Sequence, residues 1–162
     1  MSPKNRLNHI SIEDVTETPD GHLVNRDREI ALRDLRANNS FAPVGDDHGP
    51  YELRLSIEEN RLAFRTTNAE GKALPILGLS LKPYSRLIKD YFMIVQSYDK
   101  ALKNGNPSRI EAIDMGRRAV HNEGAEMLQE RLKDKIVMDF DTARRLFTLI
   151  CVLHAGKAHI LR

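Results

Sequence analysis

One stretch of this chain alternates apolar and polar side chains so strictly that it limits what the surrounding segments can form. In residues 51–57 (YELRLSI), every odd-numbered side chain is apolar and every even-numbered one is polar. Successive side chains of a β-strand point to opposite faces, so this pattern is typical of a strand with one buried and one solvated face. The stretch therefore predicts a sheet that has one face available for packing.

The segments after this strand predict that the sheet is a β-meander. Turn-forming residues occupy 58–60 and 68–71, and they separate the first strand from predicted strands at 61–66 and 74–81. Connections this short can join only antiparallel neighbours. A further short strand is predicted at 9–13, where apolar and polar residues also alternate.

The second half of the chain changes to the periodicity of α-helices. Apolar side chains recur three or four positions apart between residues 83 and 102, and Gly105 supplies a left-handed stop. Another helix is predicted from 106 to 133, with a break at Gly124 left open. The final predicted helix runs from 139–141 to about His154, and its apolar centre is typical of a buried helix.

Three local patterns complete the prediction of secondary structure. Asn25 can cap a helix that runs to about Ala37. The stretch 41–50 contains several proline, glycine and aspartate residues, which predicts a loop. Ser108 and Glu111 have the spacing of a capping box at the start of the third helix.

Strands followed by helices indicate an α+β fold. A chain of 162 residues is about one ordinary domain. We therefore expect residues 1–162 to form a single α+β domain, in which an antiparallel β-meander packs against a helical layer and the C-terminal half is all-helical. We expect flexible ends at 1–6 and 156–162.

Charge and composition restrict the classes of partner. The net charge is only +2, from 25 basic and 23 acidic residues, and there is no tryptophan. The even charge distribution argues against nucleic-acid binding. The N-terminus leads into no signal core, and no apolar run is long enough for a membrane span, so we expect a cytoplasmic protein without a membrane segment. The sequence leaves open whether the chain forms a homo-oligomer.

The most informative polar cluster is predicted on the third helix. Asp114, Arg117 and His121 are spaced i, i+3, i+7, so they stack along one side of the helix, on or beside its apolar face. Charged groups in such a position are costly unless they are paired. These residues therefore predict either a site or a structural network.

Both interpretations assign definite roles. As an anion site, Arg117 and Arg118 would hold a phosphate or carboxylate, and His121 and Glu123 would be the candidate catalytic residues. His121 would act as acid or base, with its pKa tuned by Asp114 or Glu123. As a structural network, Asp114, Arg117 and His121 would tie this helix to its neighbours. We favour the network, because structural ion-pair networks also shift the pKa values of charged groups, so an unusual charged cluster is not by itself a sign of an active site.

Three other segments have simpler explanations. Asp139 and Asp141 precede Arg144 and Arg145, and these four residues could form a polar cluster. We favour an N-cap followed by solvated arginines. The loop 45–49 (GDDHG) is interpreted as a polar turn, although metal binding there is left open. Cys151 is expected in the core. No cofactor motif or metal-ligand spacing is present, so we predict neither cofactor nor metal site.

Several segments together resemble one protein family. They are 49–53 (GPYEL), 90–94 (DYFMI), 115–118 (MGRR) with 121–124 (HNEG), and 141–149 (DTARRLFTL). On these segments the chain is similar to the uncharacterised protein family 0262, small bacterial proteins found mainly in alphaproteobacteria, from about residue 7 to residue 154. The resemblance implies a bacterial cytosolic protein and transfers no activity, substrate or catalytic residue.

Two functional hypotheses follow. The first is a small cytosolic, non-enzymatic binding or regulatory module. The second is a small enzyme or sensor that acts on an anionic metabolite, a phosphate or a carboxylate, through the cluster of arginine, histidine and glutamate residues. We prefer the first, because the sequence contains no recognised catalytic motif.

Overall fold

The computed structural model describes residues 4–13 and 22–161, with side chains described for 4–13 and 23–155. Six strands and four helices are found in this part of the chain. A 3₁₀ turn at Lys82–Tyr84 precedes the second helix. In chain order the elements are β1 (Leu7–Ile12), α1 (His22–Ala37), β2 (Phe41–Pro43), β3 (Tyr51–Glu58), β4 (Arg61–Thr67), β5 (Leu77–Ser80), α2 (Ser85–Asn104), α3 (Pro107–Leu132), β6 (Ile136–Met138) and α4 (Phe140–Leu161).

The main sheet has the strand order β1-β3-β4-β5. Strands β3, β4 and β5 pair antiparallel, which confirms the predicted meander. Strand β1 was predicted, but not its partner, and it pairs parallel with β3. A parallel pair needs a crossover connection, and α1 lies in that connection. The sheet is therefore mixed.

A second, two-stranded sheet joins β2 to β6 in antiparallel register. The prediction of an uninterrupted loop over 41–50 is wrong at Phe41–Pro43, and β6 interrupts the helices of the C-terminal half. Nothing local marks either segment as a strand, since each is three residues long and its partner lies far away in sequence.

The starts of two helices differ from the prediction. Helix α1 begins at His22, so Asn25 lies within it and does not cap it. Helix α3 is capped by Asn106, whose side chain accepts a hydrogen bond from the backbone N–H of Arg109 at 3.2 Å, and not by Ser108. Proline at the first helical position fits this register, because its missing N–H is not needed there.

One helix break that the sequence left open and one predicted helix end do not occur. Helix α3 continues through Gly124, and α4 continues past Gly156 to Leu161 instead of ending near His154. In contrast, Gly105 ends α2 in the left-handed conformation, as predicted, with a φ of 61°. A glycine ends a helix only where its neighbours allow the left-handed turn. The predicted flexible ends stay a prediction.

The core lies between the main sheet and the helices. The odd-numbered side chains of β3 are buried, as the alternation predicted. Helix α4 is the central helix, packed against α1 and α3 and touching β3 and α2. Its side chains from Leu146 to Leu153 are buried on all sides, which confirms the predicted buried helix.

Candidate functional site

A polar cleft of about 150 Å³ opens where α1, α3 and α4 meet. Three arginines and two aspartates face it, together with one histidine and a small apolar wall. The residues that line the cleft are Asp27, Ile30, Ala31 and Asp34 of α1, Arg117 and His121 of α3, and Arg144, Arg145 and Thr148 of α4.

One carboxylate in the cleft, that of Asp27, is almost fully buried, with a side chain that is only 3% exposed. Arg117 Nη1 donates to Asp27 Oδ1 at 2.7 Å, and the hydroxyl of Tyr91 donates to Asp27 Oδ2 at 2.8 Å. Burial raises the pKa of Asp27, and Arg117 and Tyr91 offset part of that rise. Asp27 therefore ties α2 and α3 to α1 through one carboxylate.

His121 is buried between aromatic rings and keeps no charge at neutral pH. Its ring meets those of Tyr91 and Phe147 edge to face. Nδ1 lies 2.8 Å from the carbonyl oxygen of Arg117. Because a carbonyl oxygen only accepts, Nδ1 carries the hydrogen. Desolvation lowers the pKa of His121 to about 4, and the charges of Arg144 and Arg117 act in the same direction.

Arg144 and Arg145 of α4 were interpreted as solvated arginines. In the structure both are half-buried, and each contacts a side chain of another helix. Arg145 Nε lies 3.6 Å from Asp34 Oδ2, and Arg144 Nε donates to Asn122 Oδ1 at 3.0 Å. Among the described residues, no carboxylate lies within ion-pair distance of Arg144. Burial lowers the pKa of Arg144, with further contributions from Arg117 and Arg145. The predicted N-cap is present, because Asp139 Oδ1 accepts from the N–H of Thr142 at 2.8 Å.

The structure brings only some of the predicted site residues together. Arg117 and His121 share the cleft, and Asp114 Oδ1 lies 3.7 Å from Arg117 Nε. That Nε is buried and finds no hydrogen-bond acceptor in the described part of the chain. Arg118 is exposed and does not line the cleft. Glu123 also lies outside it, paired with Arg86.

The polar side chains of Asp46 and His48 in the loop 45–49 have partners within the protein. Asp46 Oδ2 accepts from the hydroxyl of Tyr51 at 2.9 Å and from the N–H of His48 at 3.0 Å, and Asp46 Oδ1 accepts from Asn68 at 3.1 Å. His48 Nδ1 lies 2.9 Å from Glu70. Within residues 4–13 and 22–161, no group of three or more histidine, cysteine, aspartate or glutamate side chains is placed to hold a metal ion.

Cys151 lies in the core, as predicted, and burial raises the pKa of its thiol well above the ordinary value. A thiol in that state is not a nucleophile. No helix in the described part of the chain is long and apolar enough to cross a membrane.

Comparison with known proteins identifies the family. The model of the Uncharacterised protein family (UPF0262) matches residues 4–156. The chain belongs to this family. A UPF0262 protein of Brucella canis is 52% identical over 155 residues, which cover 94% of this chain and 95% of the relative. Another, of Allorhizobium ampelinum, is 55% identical over 137 residues and 85% of each chain. No solved structure matches the chain.

For this UPF0262 chain, sequence reasoning missed Asp27 and undervalued Arg144 and Arg145. One signal could have revealed Asp27, because it is spaced i, i+4, i+8 with Ala31 and Leu35 and so places a charge in the apolar stripe of α1. Arg144 and Arg145 carried no comparable signal, since both occupy positions where solvated arginines are common.

Proposed function

We propose that this chain is a small non-enzymatic module that binds a small anion in the cleft between α1, α3 and α4. The observation that carries the proposal is the guanidinium of Arg144, which faces the cleft without an ion-pair partner. Arg117 pairs with Asp27 and lies 3.7 Å from Asp114, and Arg145 lies 3.6 Å from Asp34, whereas no carboxylate among the described residues lies within ion-pair distance of Arg144. Guanidinium groups bind carboxylate and phosphate oxygens through paired hydrogen bonds.

The size of the cleft supports a small ligand. A volume of about 150 Å³ corresponds to about five water molecules at about 30 Å³ each. A carboxylate or phosphate with a few further atoms fits this volume.

The chemistry of the cleft supports binding without reaction. His121 is neutral at neutral pH, and its Nδ1–H is held by a backbone carbonyl. Glu123, the other candidate for acid–base catalysis, pairs with Arg86 outside the cleft. The lining includes no cysteine or lysine, and its one hydroxyl group, that of Thr148, donates to the carbonyl oxygen of Arg144 at 3.1 Å.

We also place the module in the cytoplasm. The chain has a single cysteine and so needs no oxidising compartment for an intrachain disulfide. The UPF0262 relatives named above come from bacteria.

The test is thermal unfolding in acetate, phosphate or chloride at constant ionic strength. A ligand that binds only the folded state raises the melting temperature by mass action. We expect acetate or phosphate to stabilise the protein more than chloride does. We expect Arg144→Gln to abolish this difference without destabilising the protein, because the removed charge has no ion-pair partner.

Arg118→Gln is the matched control, since it removes the same charge from the same region but outside the cleft. It should respond to anions as the wild type does. A wild type that acetate and phosphate affect no more than chloride, or an Arg118→Gln variant that loses the response, would contradict binding in the cleft. A new product in the NMR spectrum of the probe after long incubation would contradict a non-enzymatic role.

A further inference from the structure

The charge in the cleft favours a ligand with one negative charge. Arg117 and Arg145 already face Asp27 at 2.7 Å and Asp34 at 3.6 Å, so the charge of Arg144 is the one left without a counterion among the lining residues. His121 adds no charge, because it is neutral. A single negative charge would pair with Arg144, whereas the second charge of a dianion would meet only arginines that already face a carboxylate, in a half-buried place where charge is poorly screened.

His121 lines the cleft, and one of its two ring nitrogens has no hydrogen-bond partner among the described residues. Its Nδ1 carries the ring hydrogen, since it bonds to the carbonyl oxygen of Arg117 at 2.8 Å. In a neutral imidazole the other nitrogen, Nε2, then has a free lone pair. No described residue donates to Nε2. A simple carboxylate has no group that could do so, whereas a ligand with a hydroxyl group has one.

The wall formed by α1 adds a small apolar contact. Ile30 and Ala31 line the cleft between the two aspartates of α1. Such a wall suits a short carbon skeleton better than an inorganic oxyanion, because burying hydrocarbon is favourable. A skeleton of a few carbon atoms fits the cleft volume of about 150 Å³.

We infer that the cleft selects a short 2-hydroxycarboxylate, whose carboxylate faces Arg144 and whose hydroxyl donates to Nε2 of His121. This inference rests on the proposed anion binding in the same cleft. The hydroxyl is the group that distinguishes this ligand from a plain carboxylate, and the single charge distinguishes it from a phosphate dianion.

The test compares glycolate with acetate, which lacks only the hydroxyl group, by isothermal titration of the wild-type chain. We expect glycolate to bind about tenfold more tightly, the upper end of what one additional hydrogen bond contributes. Inorganic phosphate is titrated at about pH 8, where it is mainly a dianion, and should bind more weakly than glycolate. Hydrogencarbonate, a monoanion with a hydroxyl but no carbon chain, should fall between glycolate and acetate.

A direct readout on the unmodified protein is the ¹⁵N chemical shift of the imidazole nitrogens. Before ligand is added, Nδ1 should show the shift of a protonated nitrogen and Nε2 that of an unprotonated one. Glycolate should move the Nε2 signal towards the hydrogen-bonded value, and acetate should leave it unchanged. This measurement does not depend on whether any variant folds.

The variant His121→Phe removes the acceptor and keeps an aromatic ring between Tyr91 and Phe147. It should still bind acetate, but it should lose the preference for glycolate. Binding of none of the three anions acetate, glycolate and phosphate by the wild type would overturn the proposed function itself. Equal binding of the two, tighter binding of phosphate or hydrogencarbonate, an unmoved Nε2 signal, or a preference retained by His121→Phe would overturn only the hydroxycarboxylate inference.

Discussion

At the scale of single residues, the main ion pair of the cleft joins two side chains, Asp27 and Arg117, that differ in burial. The side chain of Asp27 is 3% exposed, whereas that of Arg117 is 32% exposed. Loss of Arg117 leaves a buried carboxylate to which, among the described residues, only the side chain of Tyr91 still donates a hydrogen bond. Loss of the charge on Asp27 leaves an arginine that water can partly reach. The two substitutions should therefore differ in cost, although they break the same ion pair.

We predict that Arg117→Met lowers the free energy of unfolding at neutral pH by about 3–5 kcal/mol, the usual cost of removing one partner of a buried pair. Without the guanidinium, the pKa of Asp27 rises further above its ordinary value, and the carboxyl can take up a proton. A raised carboxyl pKa gives stability that is present at low pH and is lost as the pH rises through the folded-state pKa. Urea denaturation at several pH values measures this trend.

Arg118→Met is the control for that variant, because Arg118 is the exposed neighbour and has no contact in the cleft. Its effect should stay within about 0.5 kcal/mol. Equal losses for the two substitutions, or a loss for Arg117→Met that grows as the pH falls, would contradict a buried ion pair with Asp27.

At the scale of elements, the approach of α3 to α4 depends on one glycine. A Cβ atom placed on Gly124 would lie 2.4 Å from the ring of Phe147, which is completely buried. At Gly116, two turns earlier in the same helix, a Cβ atom would meet nothing within 4 Å. Both glycines lie in helix α3, but only Gly124 is packed against another side chain.

We predict opposite effects for the two alanine substitutions. Gly124→Ala should destabilise the protein by about 1–3 kcal/mol, because the added methyl group overpacks the contact with Phe147. Gly116→Ala should stabilise it by about 0.5–1 kcal/mol, because alanine favours the helix. Denaturant unfolding of both variants tests this, and equal shifts would show that α3 does not approach α4 at Gly124.

At the scale of the whole molecule, resistance to acid should depend on the burial of His121. Its folded-state pKa of about 4 lies below the ordinary value of about 6.5, so the unfolded chain binds the proton more tightly. A lowered histidine pKa gives stability that is present above about pH 6.5 and is lost as the pH falls towards about 4.

We predict that the free energy of unfolding falls by about 3 kcal/mol between about pH 6.5 and pH 4 on account of His121, at about 1.4 kcal/mol per pKa unit. Asp46 and His154, whose pKa values are lowered, act in the same direction, and Asp27 acts in the opposite one. The contribution of His121 is therefore the difference from His121→Gln, which should be less stable at pH 7 and lose less on acidification. Parallel pH curves for the two proteins would contradict a buried neutral histidine.

The sequence by itself determined the elements whose pattern is local. The alternation in residues 51–57 predicted the buried face of β3, and the short turns after it predicted the antiparallel meander. The 3.6-residue period predicted the helices of the second half, and the apolar run of α4 predicted the central helix. A local period reports which side of an element is apolar, and that is enough to place its face towards the core.

Only the tertiary structure decided which elements meet. Asp27 and Arg117 are 90 positions apart, and no local pattern indicates that they pair. The same holds for the pairing of β2 with β6, and for the position of Arg144 in a shared cleft. The apolar face of a helix or strand is determined by residues close in sequence. The residues that it contacts are determined by how these faces pack in the folded chain. The candidate site lies where three packed helices meet, so the sequence predicted two of its residues and not the cleft itself.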